Sequence, residues 1–457
     1  MLRLVGEQVE SLFDEALPVE VRELPEDLAR LDALLSDPVL LAPIQQCWEA
    51  EARHRGRPTI AMALWVRLMV IKQRTGWGYE TLVREVSDSL HLRRFCGLSL
   101  TASVPHESTV RKLARRLGPE AVEEITRVLI DKAQRERRFT ARAMRCDSTV
   151  VEADVRWPSD AALGLDAARR LARAGARAAA TVGEDARRVR NRSRAVGRRL
   201  RLIGRTMGRR SGRTGGARAM VLDLTGEVGK LVRRSVREAR ALAAQTRRRA
   251  RGRGAQAKLL AARRLDEQAD LAEKVCRQIT QRLAGEKITE RLVSLADPDA
   301  RPIGKGKLGK RYEFGYVFQL AELTPNTRRG ARGLILPPAS QVGSPNESEL
   351  LPQTVAELDR LAITPREVAL DGGFPVEAAS RHFPDTTLFI AGRQHPPSRR
   401  SKKRLASYRA GAEGRISHLK RGYGLRRSRL KGHDGARTWA AWSILAYNLD
   451  TLAIRAA

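Results

Sequence analysis

The stretch ARAMRCDSTVVEADVRWP, residues 141–158, decides how the rest of the chain is read. It is β-branched and apolar, Pro158 closes it, and it predicts a strand. Residues two apart on a strand share a face. Asp147, Thr149, Val151 and Ala153 then point one way, with Ser148, Val150, Glu152 and Asp154 opposite. That alternation separates Asp147 from its acidic neighbours.

Upstream, residues 1 to about 140 read as helical. In PTIAMALWVRLMVIKQRTGWGYETLVREVSDSLHLRRFCGL, the apolar positions Ala61, Leu64, Trp65, Leu68 and Ile71 recur at helical spacing. Gly76 and Gly78 break the run, and a second helix is predicted from near Tyr79. In SVPHESTVRKLARRLGPEAVEEITRVLIDKAQ, Pro105 and Ser108 mark a helix entry, followed by a basic face on Arg111, Lys112, Arg115 and Arg116. Short helices meeting at tight turns, one of them basic, resemble a DNA-contacting helix-turn-helix. A plain bundle with a solvated basic face would show the same periodicity.

Downstream, from about 158 to 286, the text shifts to Ala, Arg, Leu and Gly, as in ARRVRNRSRAVGRRLRLIGRTMGRR. Propensity predicts long helices there, with Ser211 to Gly216 as a hairpin turn. Their basicity suits a phosphate backbone, and a solvated spacer is the plainer alternative.

Strand signals return after 287. ERLVSLADPDARPI, KRYEFGYVFQLAELT and RRGARGLILPP are predicted as consecutive strands, divided by Asp297-Pro298-Asp299 and Pro325-Asn326. A helix is predicted in SPNESELLPQTVAELDRLAI, with Ser344 as N-cap, Pro345 at the first position and Glu347 as the reciprocal acid of a capping box. REVALDGGFP reads as a short buried strand ending in an acid and two glycines, TTLFIAGR as another strand, and the remainder from about 402 as helix. With the insert removed, this order is that of an α/β RNase H-like domain, a mixed sheet with flanking helices. The expected divisions are a helical DNA-binding domain over 1–140, the first part of a catalytic domain over 141–157, an arginine-rich helical insertion over 158–286 and the rest of the catalytic domain over 287–457.

This layout spaces three acids as phosphoryl chemistry would need them. Asp147 sits mid-strand, Asp371 ends a strand at the sheet's carboxyl edge, and Glu413 lies on the following helix. Two-metal chemistry needs several hard oxygen ligands converging on ions about 3.5–4 Å apart. Gly372 and Gly373 leave room for a close-approaching DNA backbone. In SYRAGAEGRISHLKRGYGLRRSRLKG, Arg409, Glu413 and Lys420 fall on one helical face, so the cations can grip phosphates while the acid ligates a metal. Taken alone, Glu413 would be half of an ordinary i,i+4 salt bridge. Read with Asp147 and Asp371, it is a catalytic candidate.

Composition agrees. A chain of 457 residues suggests two or three domains, and 86 Lys+Arg against 52 Asp+Glu give a net charge of +34. Self-repulsion on that scale points to a polyanion as the normal partner. No apolar run approaches bilayer-spanning length, and the acid-bearing start MLRLVGEQVESLFDEALP is not a signal peptide, so a cytoplasmic, nucleoid-associated protein with no membrane partner is expected. Cys47, Cys96, Cys146 and Cys276 lie far apart and read as reduced cysteines. No Walker loop, Rossmann fingerprint or HExxH is present.

CDSTVVEADVRWPSD, VSLADPDARPIGKGKLGKRYEFGYVFQL, ALDGGFP and the R-x3-E-x6-K spacing of Arg409, Glu413 and Lys420 resemble bacterial DDE-type insertion-sequence transposases, nearest the ISNCY-type group. The helical leader is also similar. The resemblance implies an RNase H-like catalytic domain acting on terminal inverted repeats and target DNA, in a homodimer or larger synaptic complex. It implies Asp147, Asp371 and Glu413 as catalytic ligands of two Mg²⁺ ions, with Mn²⁺ able to substitute, and Arg409 and Lys420 as DNA contacts. Related elements often carry Tyr three residues before the Arg; here Ala406 stands there, with Tyr408 nearby.

Further DNA contacts are expected from Arg111, Lys112 and Arg115, and from the basic loop of Lys305, Lys307, Lys310 and Arg311. Asp297 and Asp299 read as turn formers, His418 as structural or DNA-facing, and Trp439 and Trp442 as core anchors. Two rival functions share the same features: an RNase H-like nuclease without strand transfer, and a non-catalytic architectural DNA-binding protein.

Overall fold

The computed structural model describes residues 2–6, 16–49, 58–208, 214–304 and 312–455. They fall into two compact units, Met1–Asp154 with Gly315–Ala457, and Val155–Phe314. The helical leader thus clusters with the sheet residues in the first unit. The second unit continues past the expected limit of 286 to Phe314.

In the first unit, α1 (Val19–Arg22), α2 (Glu26–Leu35), α3 (Ala42–Glu49), α4 (Met62–Thr75), α5 (Tyr79–Asp88), α6 (Leu90–Phe95) and α7 (Glu107–Arg135) lead into β1 (Ala143–Ala153). Gly76 ends α4 in the left-handed region at φ 72°, where a glycine avoids the Cβ penalty. α5 begins at Tyr79, as the sequence predicts. His106 caps α7 by accepting from the Ser108 N–H.

The remaining strands are β2 (Arg301–Gly304), β3 (Tyr312–Thr324), β4 (Leu334–Ile335), β5 (Ala339–Ser340), β6 (Glu367–Leu370), β7 (Thr387–Ile390) and β8 (Arg427–Ser428). β1 runs antiparallel to β3, with Asp147 opposite Leu320. On its other side β1 is parallel to β6, and β6 is parallel to β7. The sheet is mixed, and helices α12 (Glu347–Arg360), α13 (Val376–His382), α14 (Arg399–Gly422) and α15 (His433–Arg455) flank it.

Period-two alternation sets what each face buries. Ala143, Ala369 and Phe389 pack with Leu405 and Tyr408 of α14. Met144, Cys146, Val368, Leu370, Leu388 and Ile390 turn the other way, into the core shared with the leader helices and α15. Trp442 is fully buried there and meets Trp65 edge-on at 5.2 Å, so it anchors the core.

Two predicted strands are shorter than the sequence suggests. Residues 289–300 form no strand: Leu292 and Leu295 pack into the core of the insertion, and Gln278 takes both the N–H and the carbonyl of Leu292. With those groups bonded to a side chain, no ladder forms. In RRGARGLILPP only Leu334–Ile335 is strand, paired antiparallel with β3, because Pro337 and Pro338 follow and the Asn448 amide takes both the N–H and the carbonyl of Ile335.

The second unit contains α8 (Asp160–Thr181), α9 (Ser193–Gly208), α10 (Gly215–Arg248) and α11 (Ala255–Leu283). Leu171, Val228, Val232, Leu265, Val275 and Ile279 form its core. Much of the predicted hairpin turn lies outside the described residues. Among the described residues, no helix is long and apolar enough to cross a membrane.

Candidate active site

Asp147 shares a β1 face with Ala143 and Arg145, the face that α14 covers. Asp371 follows β6 directly, one step beyond the buried run that ends at Leu370. Because β1 and β6 are adjacent and parallel, both acids reach the same region of the sheet.

A third acid joins them. One oxygen each from Asp147, Glu347 and Asp371 lies within 4.8 Å of the other two. All three are partly buried, so their charges are poorly screened. Burial pushes the Asp147 carboxyl up to about 6, with the Asp371 and Glu413 charges adding, while the Ser148 N–H and Arg409 act in the opposite direction. Burial, then the Asp147 and Asp371 charges, pushes Glu347 up to about 7. Ser148 stands beside Glu347 and eases that rise. Even so, Ser148 Oγ and Glu347 Oε2 are both buried without a completed hydrogen bond among the described residues.

Glu347 is not the capping-box acid that its sequence spacing suggests. The cap of α12 is Asn346, not Ser344, and Glu347 is the first helical residue. Asn346 turns its amide to Glu349 at 3.2 Å, which leaves Glu347 without a cap to serve. The buried Gln319 of β3 donates to the Glu347 carbonyl at 2.8 Å and accepts from Thr354 at 2.7 Å. These bonds fasten the first turns of α12 to the sheet. A Cβ on Gly373 would stand 2.3 Å from Glu347 Oε2, so the glycine clears the space that this carboxylate occupies. An acid at the first turn of a helix, directly after a residue able to cap it, was the one local signal available.

Glu413 lies outside that triad but is electrically tied to it. Arg409 donates to Asp371 Oδ1 at 2.7 Å and to Glu413 Oε1 at 3.1 Å. The Glu413 side chain is 69% exposed and Arg409 only 17%. Lys420 is half-buried on the same helix.

The register of α14 is set from beneath. Arg145 ion-pairs with Glu322 at 2.6 Å, donates to the Tyr408 carbonyl at 3.0 Å, and lies over the Tyr408 ring. Arg415 donates to the other oxygen of Glu322 at 2.8 Å. Tyr408 is buried, its hydroxyl bonded to Thr324 Oγ1 at 2.6 Å, and it offers no surface for stacking a base.

Other sequence candidates lie elsewhere in the first unit. On α7, Lys112 and Arg115 are exposed, whereas Arg111 is half-buried and paired with Glu107 at 3.4 Å. Lys112 lines a groove of about 770 Å³ with Arg3, Trp48, His106 and Arg116, and Arg116 lies 3.5 Å from the Trp48 ring centroid. His418 packs against Tyr423 and Tyr447, and burial holds its pKa below the usual value. Lys305, Lys307, Lys310 and Arg311 lie outside the described residues. In the second unit, Asp297 is buried and its carbonyl accepts from Ala300, in keeping with a turn.

Comparison with known families gives two matches. Residues 20–116 match the family described as Transposase domain (DUF772), a span that includes Arg111, Lys112 and Arg115. Residues 335–449 match the Transposase DDE domain, a span that includes Glu347, Asp371, Arg409, Glu413 and Lys420. No curated protein and no solved structure matches the chain.

Proposed function

Because the chain belongs to the DDE-type insertion-sequence transposases, we propose that it cuts DNA at the terminal inverted repeats of its element and joins the freed 3′ ends to target DNA. The observation that carries this reading is the convergence of Asp147, Glu347 and Asp371 where β6 ends beside β1. The domain around them is read as RNase H-like, with the insertion between β1 and β3.

The residues fit divalent cations. The donors are hard carboxylate oxygens, which Mg²⁺ and Mn²⁺ prefer. Burial, with repulsion from the neighbouring acids adding to it, raises two of them, and Glu347 Oε2 is buried with no hydrogen bond to satisfy it among the described residues. Asp147, Asp371 and Glu347 would hold the ions, with Glu413 as the further ligand that Arg409 keeps nearby. Two such cations would supply an activated water or 3′-hydroxyl and neutralise charge on the leaving oxygen.

The chain's own residues do the positioning. Arg409 and Lys420 draw the scissile phosphate toward α14 and offset its charge. The absence of side chains at Gly372 and Gly373, expected to admit the DNA backbone, instead makes room for the Ala391 carbonyl and the Glu347 carboxylate beside Asp371. Arg145, Glu322 and Arg415 hold α14 against β1, so that the acids keep their spacing when DNA binds. The leader would recognise the repeat through Lys112 and Arg115, with Arg111 nearby. Joining two ends in one reaction calls for a dimer or larger assembly.

The test is a joining assay. The full chain is incubated with Mg²⁺, a fragment carrying the element's flanking repeat, and a supercoiled plasmid. Fragment covalently joined to plasmid supports the transposase reading. Cleaved but unjoined fragment would reduce the protein to a nuclease, and tight binding without cleavage to an architectural one.

A further inference from the structure

The insertion concentrates the chain's charge. Between residues 155 and 314 there are 41 Lys+Arg against 16 Asp+Glu, which supplies +25 of the total +34. Its acids are spent unevenly. Arg240 pairs with Asp266, Asp270 and Glu273, Arg247 with Asp266, Arg192 with Glu238, and Arg199 with Glu227. All of these pairs involve α10 or the segment beside it.

A groove of about 580 Å³ between α8 and α11 is treated differently. Arg170, Arg173 and Arg177 recur at i, i+3 and i+7 along α8, and Arg264 of α11 faces them over a floor that includes Ala174 and Ala261. Among the described residues, none of these four arginines has a carboxylate partner. Arg170 donates to the Gln268 amide oxygen at 3.4 Å, and Arg173 to a carbonyl of its own helix at 3.4 Å. Glu267, the acid at the rim, is taken by Arg263 at 3.1 Å. Arg173, Arg177 and Arg264 are exposed.

We propose that this groove seats the phosphodiester backbone of duplex DNA without reading its sequence, a site that rests on DNA being the substrate. Four uncompensated guanidiniums in one concavity are complementary to a polyanion. From Arg170 to Arg177 the helix rises about 10 Å, close to the axial rise of roughly three nucleotides of one strand. No aromatic side chain lines the groove, so it lacks the stacking platforms that select unpaired bases. Phosphate contacts of this kind fix position and leave sequence unread.

The experiment compares the wild-type chain with a groove variant carrying Arg170→Ala, Arg173→Ala, Arg177→Ala and Arg264→Ala. A control variant carries Arg194→Ala, Arg198→Ala, Arg201→Ala and Arg205→Ala, four exposed arginines of α9. Circular dichroism melting first establishes that both variants fold. Affinity for a random-sequence duplex is then measured across salt concentrations, with a single strand of equal length in parallel. The groove variant should lower the slope of log K against log salt by roughly three to four, at about 0.9 per phosphate lost, and the control by less. Equal slopes for the two variants, with wild type still binding and cleaving DNA, would overturn the groove alone and leave it to an acidic protein segment or to solvent. A wild type that prefers the single strand would overturn the duplex assignment. A wild type that binds neither would overturn the groove and the DNA reading together.

Discussion

Arg409 and Asp371 form an ion pair between α14 and the end of β6, at 2.7 Å, and the second terminal nitrogen of the same guanidinium reaches Glu413 at 3.1 Å. Arg409 therefore neutralises two of the acids proposed to hold cations, and it competes with those cations for Asp371. Arg409→Ala should bind Mn²⁺ more tightly than wild type in calorimetric titration of DNA-free protein. Its cleavage of repeat-end DNA should fall by on the order of 10²-fold, because a charge donor aimed at the reacting phosphate is lost. Unchanged Mn²⁺ affinity would show that the guanidinium does not compete for the carboxylate.

The raised pKa values predict a specific dependence on pH. With Asp147 near 6 and Glu347 near 7, the folded chain keeps protons that the unfolded chain releases between about pH 4 and pH 7. The contribution of these groups to stability therefore declines as pH rises through that window. Cations bind the deprotonated forms and should reverse the decline. In thermal melting, Mg²⁺ should raise Tm at pH 8 and do far less at pH 5. Asp147→Asn should raise the metal-free Tm at pH 8 and lose the Mg²⁺ response. Equal responses at both pH values would contradict the account.

Gly373→Ala tests the placement of Glu347. The added Cβ would stand 2.3 Å from Glu347 Oε2 and 3.1 Å from Cδ, so the carboxylate must move. Cleavage should drop by at least about ten-fold, the loss expected when a ligand is shifted from its working position. Melting should change little. Glu347→Asp in the same chain shortens the side chain and should return part of the activity. Full activity in Gly373→Ala alone would remove Glu347 from the site.

Glu322→Ala tests the support beneath α14. Glu322 is buried between Arg145 and Arg415 and also accepts from the Gly333 N–H. Its removal leaves two buried or half-buried cations without their shared partner, at a cost of about 3–5 kcal/mol. Urea denaturation should show that loss. Activity should fall further than the folded fraction does, since Arg145 also sets the Tyr408 carbonyl next to Arg409. A stability change below about 1 kcal/mol would mean the network is solvated.

What the sequence disclosed follows from how local each signal is. The alternation around Asp147 and the buried run ending at Asp371 are properties of short strands, and both strands lie where the patterns put them. Gly76 likewise marks the end of α4 by local chemistry alone. Glu347 was hidden because a competing local pattern, Ser344 with an acid three residues on, explained it without any tertiary contact. Only the fastening of α12 to β3 through Gln319 brings it to the acids. The same blindness applied to residues 289–300, whose apolar run looked like a strand. It is held as loop by Gln278, a residue on a helix that no pairing rule could connect to it.

The most direct test is Mg²⁺-dependent cleavage of a fragment carrying the flanking inverted repeat, with wild type and Asp147→Asn compared at equal folded concentration. Wild type should cleave at the repeat end and lose that cleavage on chelation, and the variant should cut no better than background. An Asp147→Asn chain that cuts as well as wild type would contradict the proposed cation site.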